Sequence, residues 1–154
     1  NNSSSSKAFI WAHNVHIGDW VSNGIIDVLG HQLKKRFGES FYNIATDFGT
    51  GEFYAFPHNP NEVGSKMQVY KFEKIIPNTF TSCLQKLGNP NLFMDLKKIK
   101  TNPSMKCEIE RNLTVMSGAG AQEWGTQTET VPIGKAFDAI IYLDKTSKIN
   151  FLHK

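Results

Sequence analysis

Residues 7–20 read KAFIWAHNVHIGDW. A short apolar run, Ala8 to Ala12, gives way at once to His13, Asn14, His16 and Asp19. An apolar run of this length, bounded by polar residues, reads as a strand buried on both faces. In open α/β sheets ligands bind just outside the carboxyl ends of strands. Two histidines three residues apart at such an end therefore make a candidate site.

The chain on either side supports that frame. Residues 1–6, NNSSSS, are a polar low-complexity stretch and read as a flexible linker ahead of a domain over 7–154. Asn14 to Ser22 reads as a loop with Gly18 as its flexible point. Asn23 to Phe37 reads as a helix, with Ile26, Leu29, Leu33 and Phe37 forming an apolar stripe. Ser22 or Asn23 caps its start and Gly38 sits just past its end. Gly30 inside it costs about 1 kcal/mol against Ala, which a close packing contact would justify.

Phe41 to Phe48 reads as the next strand, Gly49-Thr50-Gly51 as a turn and Glu52 to Phe56 as the returning strand of a hairpin. Met67–Phe72, Asn91–Leu96 and Phe137–Leu143 read as further strands, Leu113–Met116 as extended and Thr79–Leu87 as a helix. Ser117–Thr130 reads as a long loop. The expectation is an α/β fold: a mixed sheet with a βαβ start and a β-hairpin, and helices packed on the sheet.

The chain of 154 residues is long enough for one cored domain. With 40% hydrophobic and 20% charged residues it is neither a disordered nor a membrane composition, and no apolar run approaches a membrane span. No charged segment followed by an apolar one opens the sequence, so the cytoplasm is the expected compartment. The net charge is +3, and Lys34-Lys35-Arg36 falls at a predicted helix end, where cations suit the macrodipole. No basic face with interleaved aromatics points to nucleic acid. Cys83 and Cys107 have no metal-ligand spacing and read as buried or idle thiols, with one disulfide left open.

His13 and His16 fit three roles. Imidazole titrates near neutrality and suits general acid–base work, it ligates metals, or it is held structurally by a backbone carbonyl. A zinc site needs at least a third protein ligand. His31 falls near the apolar stripe and reads as packed, His58 as solvated in a loop, and His153 lies in the tail; none completes a metal set, so no metal or cofactor is expected. No Gly-x-Ser-x-Gly elbow is present. A hydrolase built on this chain would activate water with a base rather than use a serine.

The motif Trp11-Ala12-His13-Asn14-Val15-His16-Ile17 resembles that of the erythromycin esterase family, whose members are also called succinoglycan biosynthesis proteins. The Leu29-Gly30 and Leu33 positions, Phe41 to Phe53 with its Phe-x-x-Gly-x-Phe segment, the Asn91–Leu96 strand and Phe137-Asp138-Ala139-Ile140-Ile141-Tyr142 are similar to later family segments, in the same order. The resemblance is to the C-terminal half of the family, within a larger three-layer fold. It implies hydrolysis of an ester or macrolide lactone by water. It also implies that His13 and His16 complete a site whose general base, glutamates and arginine come from the N-terminal half. Trp11 and Asn14 would support the pair, and Arg111 would match an arginine before a loop near the cleft. This chain carries no counterpart of that half, so the resemblance implies little activity for the chain alone and self-association through a surface left open. The competing readings are a metal-dependent hydrolase using the same histidines, and a non-catalytic ligand-binding or interaction domain.

Overall fold

The computed structural model describes residues 7–22, 26–57, 66–116 and 128–150. The linker at 1–6, the residues 23–25, the His58 loop, most of the 117–130 loop and His153 lie outside the described residues. In chain order the elements are α1 (Asn14–Ile17), β1 (Val21–Ser22), β2 (Ile26–Asp27), α2 (Leu29–Phe37), β3 (Ile44–Ala55), β4 (Gln68–Phe72), α3 (Phe80–Lys86), β5 (Asn91–Asp95), α4 (Leu96–Ile99), α5 (Pro103–Ile109), β6 (Asn112–Met116), β7 (Thr128–Pro132), α6 (Ile133–Ala136) and β8 (Ala139–Thr146).

The mixed α/β class holds. A four-stranded sheet has the order β4-β3-β8-β5. Its central pair, β3 and β8, is parallel, with Ile44 opposite Ala139 and Thr46 opposite Ile141, while β4 and β5 flank it antiparallel. Two short antiparallel ladders, β1–β2 and β6–β7, lie outside it. Alternation along β8 sorts the residues. Ile140 and Tyr142 point into a core shared with Ala45, Phe80, Leu84, Leu96, Ile133 and Phe137, whereas Ile141 and Leu143 point outward.

Local capping explains the helices. Thr79 accepts from the Ser82 N–H and starts α3, Asp95 accepts from the Lys98 N–H and starts α4, and Asn102 does the same for α5 with Pro103 at its first position.

Three expected elements differ. The expected opening strand at 7–12, and with it the βαβ start, is not formed: these residues join no ladder, and Phe9 and Trp11 are 83% and 82% exposed. A strand needs a partner for its backbone groups, and an apolar run alone does not supply one. The hairpin exists, but its turn is elsewhere. β3 runs unbroken through Gly49-Thr50-Gly51 and pairs with β4, with Phe53 opposite Tyr70. Those glycines mark close backbone approach rather than a turn: a Cβ on Gly49 would fall 2.6 Å from the Asp144 carbonyl oxygen, and one on Gly51 2.4 Å from that of Thr146. Finally, the helix begins at Leu29, not Asn23, because Ile26 and Asp27 pair with β1. Its N-cap is Val28, without a side-chain bond. The stripe is not its buried face, since Leu29 and Phe37 are exposed and Gly30 is buried. Gly38 ends it at φ 54° as expected. Cys83 and Cys107 are both free and exposed.

Candidate functional site

The His-Asn-x-His stretch forms a single helical turn, not a strand end or a loop. His13 is the N-cap of α1, and its carbonyl accepts from the His16 N–H at 2.9 Å. Spacing of three puts both imidazoles on one face. Both are exposed, with ring centroids 6.3 Å apart and planes tilted by 44°. Two donors or acceptors at that separation can address one small group between them.

What holds the turn is the residue between the histidines. Asn14 is buried, and its Nδ2 donates to the Thr46 carbonyl at 2.7 Å while its Oδ1 accepts from the Thr46 N–H at 3.0 Å. An asparagine amide carries the same donor–acceptor pair as a peptide unit. Asn14 thus satisfies β3 where β4 does not reach, since β4 pairs only from Gly51 onward. Behind the turn Gly18 is buried beneath the Trp20 ring, which a Cβ would meet at 1.6 Å, so this residue is a close approach rather than a flexible point. Trp20 in turn packs edge-on against Phe137 at 5.4 Å.

The remaining expected residues fall differently. Trp11 is exposed and stands 6.4 Å from the Phe9 ring. Arg111 is exposed just beyond α5 and pairs with Glu108 of that helix at 2.7 Å, an i,i+3 contact. His31 is not merely packed: its Nδ1 lies 2.7 Å from the Asp19 carboxylate, and the pair ties the segment after α1 to α2. Among the described residues no group of three or more His, Cys, Asp or Glu side chains is placed to hold a metal ion. No helix of the described residues is long and apolar enough to cross a membrane. A cavity of about 470 Å³ lies between β5 and the α4–α5 segment, lined by Phe93, Met94, Ile99 and Met105 among others, and none of the candidate residues lines it.

Three buried polar residues, Asp47, Asn43 and Asp138, were not read from the sequence as site or structural partners. Asp47, on the helix-facing side of β3, accepts from the Thr81 hydroxyl at 2.6 Å and from the Phe48 N–H at 2.8 Å. Burial raises its carboxyl to about 6, against the lowering effect of those two bonds. Asn43 and Asp138 join at the start of the parallel pair: Asp138 Oδ2 accepts from the Asn43 N–H at 3.0 Å, and Asn43 Oδ1 accepts from the Asp138 N–H at 2.9 Å. The reciprocal exchange can be recognised in a sequence only once the two strands are known to be neighbours, 95 residues apart.

Comparison with known proteins bears on this geometry. A search of curated proteins found no match. Three solved structures share the fold. A Bacillus cereus protein superposes with a TM-score of 0.73 and 22% identity, over 89% of this chain and 33% of the other. A succinoglycan biosynthesis protein gives 0.71 and 19%, over 89% and 32%. An erythromycin esterase variant with a histidine replaced by asparagine, in its open conformation, gives 0.53 and 15%, over 86% and 30%. The chain thus spans about a third of the length of each. The family model described as erythromycin esterase matches residues 1–146. The chain belongs to the erythromycin esterase family.

Proposed function

We propose that this chain supplies His13 and His16 to a site that hydrolyses an ester or a macrolide lactone with water. The supporting observation is the helical turn, anchored to β3 through Asn14, that presents two imidazoles side by side to solvent in a chain of the erythromycin esterase family. In that site one imidazole orients the attacking water and the other donates to the developing oxyanion, with the general base coming from the family's N-terminal half. Asn14 supports the pair by holding the turn to Thr46 rather than reacting, and Trp11 and Arg111 are proposed as further supporting residues. A macrolide is the finer form of the proposal, and an ester of unspecified alcohol the broader one.

The chain spans about a third of the matching structures, so the assay uses the longest polypeptide that contains it. Turnover of an ester panel and of macrolide lactones is measured for the parent and for His13→Ala and His16→Ala, with circular dichroism as the folding control. A loss of about 10²–10³-fold in folded variants is the expected result for a removed oxyanion donor or water-orienting group. Unchanged turnover in both would overturn the proposal.

A further inference from the structure

The carbonyl of Ile17, the last residue of α1, has no later turn to accept from, as at any helix end. Its partner is a side chain from another strand. Asn43 Nδ2 donates to the Ile17 carbonyl at 2.8 Å and, with its second hydrogen, to the Ala136 carbonyl at 2.8 Å. The Ala136 carbonyl also accepts from the Asp19 N–H at 2.8 Å. Asn43 therefore joins the end of the histidine turn to the end of α6. Asn43 is itself held at both ends by Asp138, through its own N–H and through its Oδ1. Its carbonyl accepts from the Asp138 and Ala139 N–H groups at 3.1 and 3.2 Å. Asn43 and Asp138 are each 5% exposed, and the bond to the Ile17 carbonyl is part-buried. The other carboxylate oxygen of Asp138 faces the Lys34 and Lys97 ammonium groups at 3.9 and 3.8 Å.

We propose that Asn43, locked by Asp138, is the positioning residue for the His13–His16 pair. Asn14 fixes the front of the one-turn helix to β3, and Asn43 fixes its back to the start of the β3–β8 pair. A single turn has too few internal hydrogen bonds to keep its own shape. The orientation of the two imidazoles is accordingly set by these two amides together with the packing of Val15 and Ile17 against the core. The functional importance of that orientation rests on the hydrolase reading; the orientation itself does not.

The test separates the two. Imidazole resonances of His13 and His16 are recorded in the chain as it stands, then in Asn43→Ala, Asp138→Ala and Asp138→Asn, with Phe72→Ala, buried on the edge strand β4 and outside the core cluster that Val15 and Ile17 pack against, as a control for general destabilisation. The expected result is that Asn43→Ala and Asp138→Ala shift both histidines, Phe72→Ala does not, and Asp138→Asn, which keeps an acceptor for the Asn43 N–H, restores the parent spectrum. Histidine shifts no larger than those of Phe72→Ala overturn the proposal. Should the alanine variants not fold, amide exchange in the parent decides: Gly18 and Asp19 exchange within about tenfold of Asp138 and Ala139 if they open as one unit, and about a hundredfold faster if the clamp does not hold the turn. Shifted histidines with unaltered ester turnover in the longer polypeptide would sink the hydrolase reading and leave the positioning role standing.

Discussion

The amide of Asn14 and the peptide unit of Thr46 exchange two hydrogen bonds, 2.7 and 3.0 Å long, across 32 residues of sequence. A side chain here does what a neighbouring strand would do. It explains why an asparagine stands between the two histidines: the residue that fixes the turn must be able to donate and accept at once.

That exchange sets the first expected outcome. Asn14→Asp keeps the acceptor for the Thr46 N–H but places a carboxylate against the Thr46 carbonyl, and Asn14→Ala leaves both groups unsatisfied. Each bond lost at this part-buried position costs about 0.5–1.5 kcal/mol. Urea denaturation should show both variants destabilised by at least that amount. A change below about 0.5 kcal/mol, the usual range for surface substitutions, would mean the bonds are not made in solution.

Asp47 makes stability depend on acid. Its carboxyl is raised from 3.8 to about 6 in the folded chain, chiefly by burial. The folded state therefore holds the proton more tightly than the unfolded state. The associated stability is full below about pH 4, declines as pH rises toward 6, and is absent above that, a total of about 3 kcal/mol at 1.36 kcal/mol per pH unit. Asp47→Asn, whose Oδ1 still accepts from the Phe48 N–H while its Nδ2 donates to the Thr81 hydroxyl, cannot ionise and should remove this slope and be the more stable protein at pH 7. Chemical denaturation at pH 4, 5, 6 and 7 reads it directly; parallel curves for the two proteins would contradict it.

Gly30 tests the packing of α2. A Cβ there would lie 2.1 Å from the Ile17 carbonyl oxygen, a backbone atom of the histidine turn. The helix propensity of alanine favours Gly30→Ala by about 1 kcal/mol, while overpacking against a fixed backbone costs about 1–3 kcal/mol or more. The clash should win, and thermal denaturation should show a lowered midpoint. A raised midpoint would mean that α2 moves freely away from α1.

The outward face of the sheet bears on association. Phe93, Ile141 and Leu143 lie across β5 and β8 in register, with Phe93 opposite Ile141, and Phe93 is 58% exposed. Sheets with a parallel centre are ordinarily covered on both faces. Sedimentation over a concentration series should show self-association of this chain, reversed in the double variant Phe93→Lys with Ile141→Lys. A parent that stays monomeric throughout would contradict it.

The sequence made some of this legible and hid the rest for definable reasons. The strands at 68–72, 91–95 and 139–146 and the helix at 80–86 carried their own signals, in alternation, caps and flanking Gly or Pro. The histidine pair was visible as chemistry. Its setting was not, because an apolar run looks like a strand whether or not a partner lies beside it, and Phe9 and Trp11 are exposed. Gly49 and Gly51 looked like a turn because a glycine required by the close approach of β8, joined at Gly51 by a φ of 152°, cannot be told in a sequence from a turn glycine. The Asn43–Asp138 exchange and the Asp19–His31 pair depend on contacts between segments that the sequence keeps apart.

The central claim is that His13 and His16 act on one reacting group, and a double-mutant cycle in the longest polypeptide containing this chain tests it most directly. Ester turnover is measured for His13→Gln, His16→Gln and the double variant, each confirmed as folded. Residues that act as a unit are strongly non-additive, so the double variant should lose little more than the worse single one. Losses that simply multiply, or no loss in any variant, would contradict the claim.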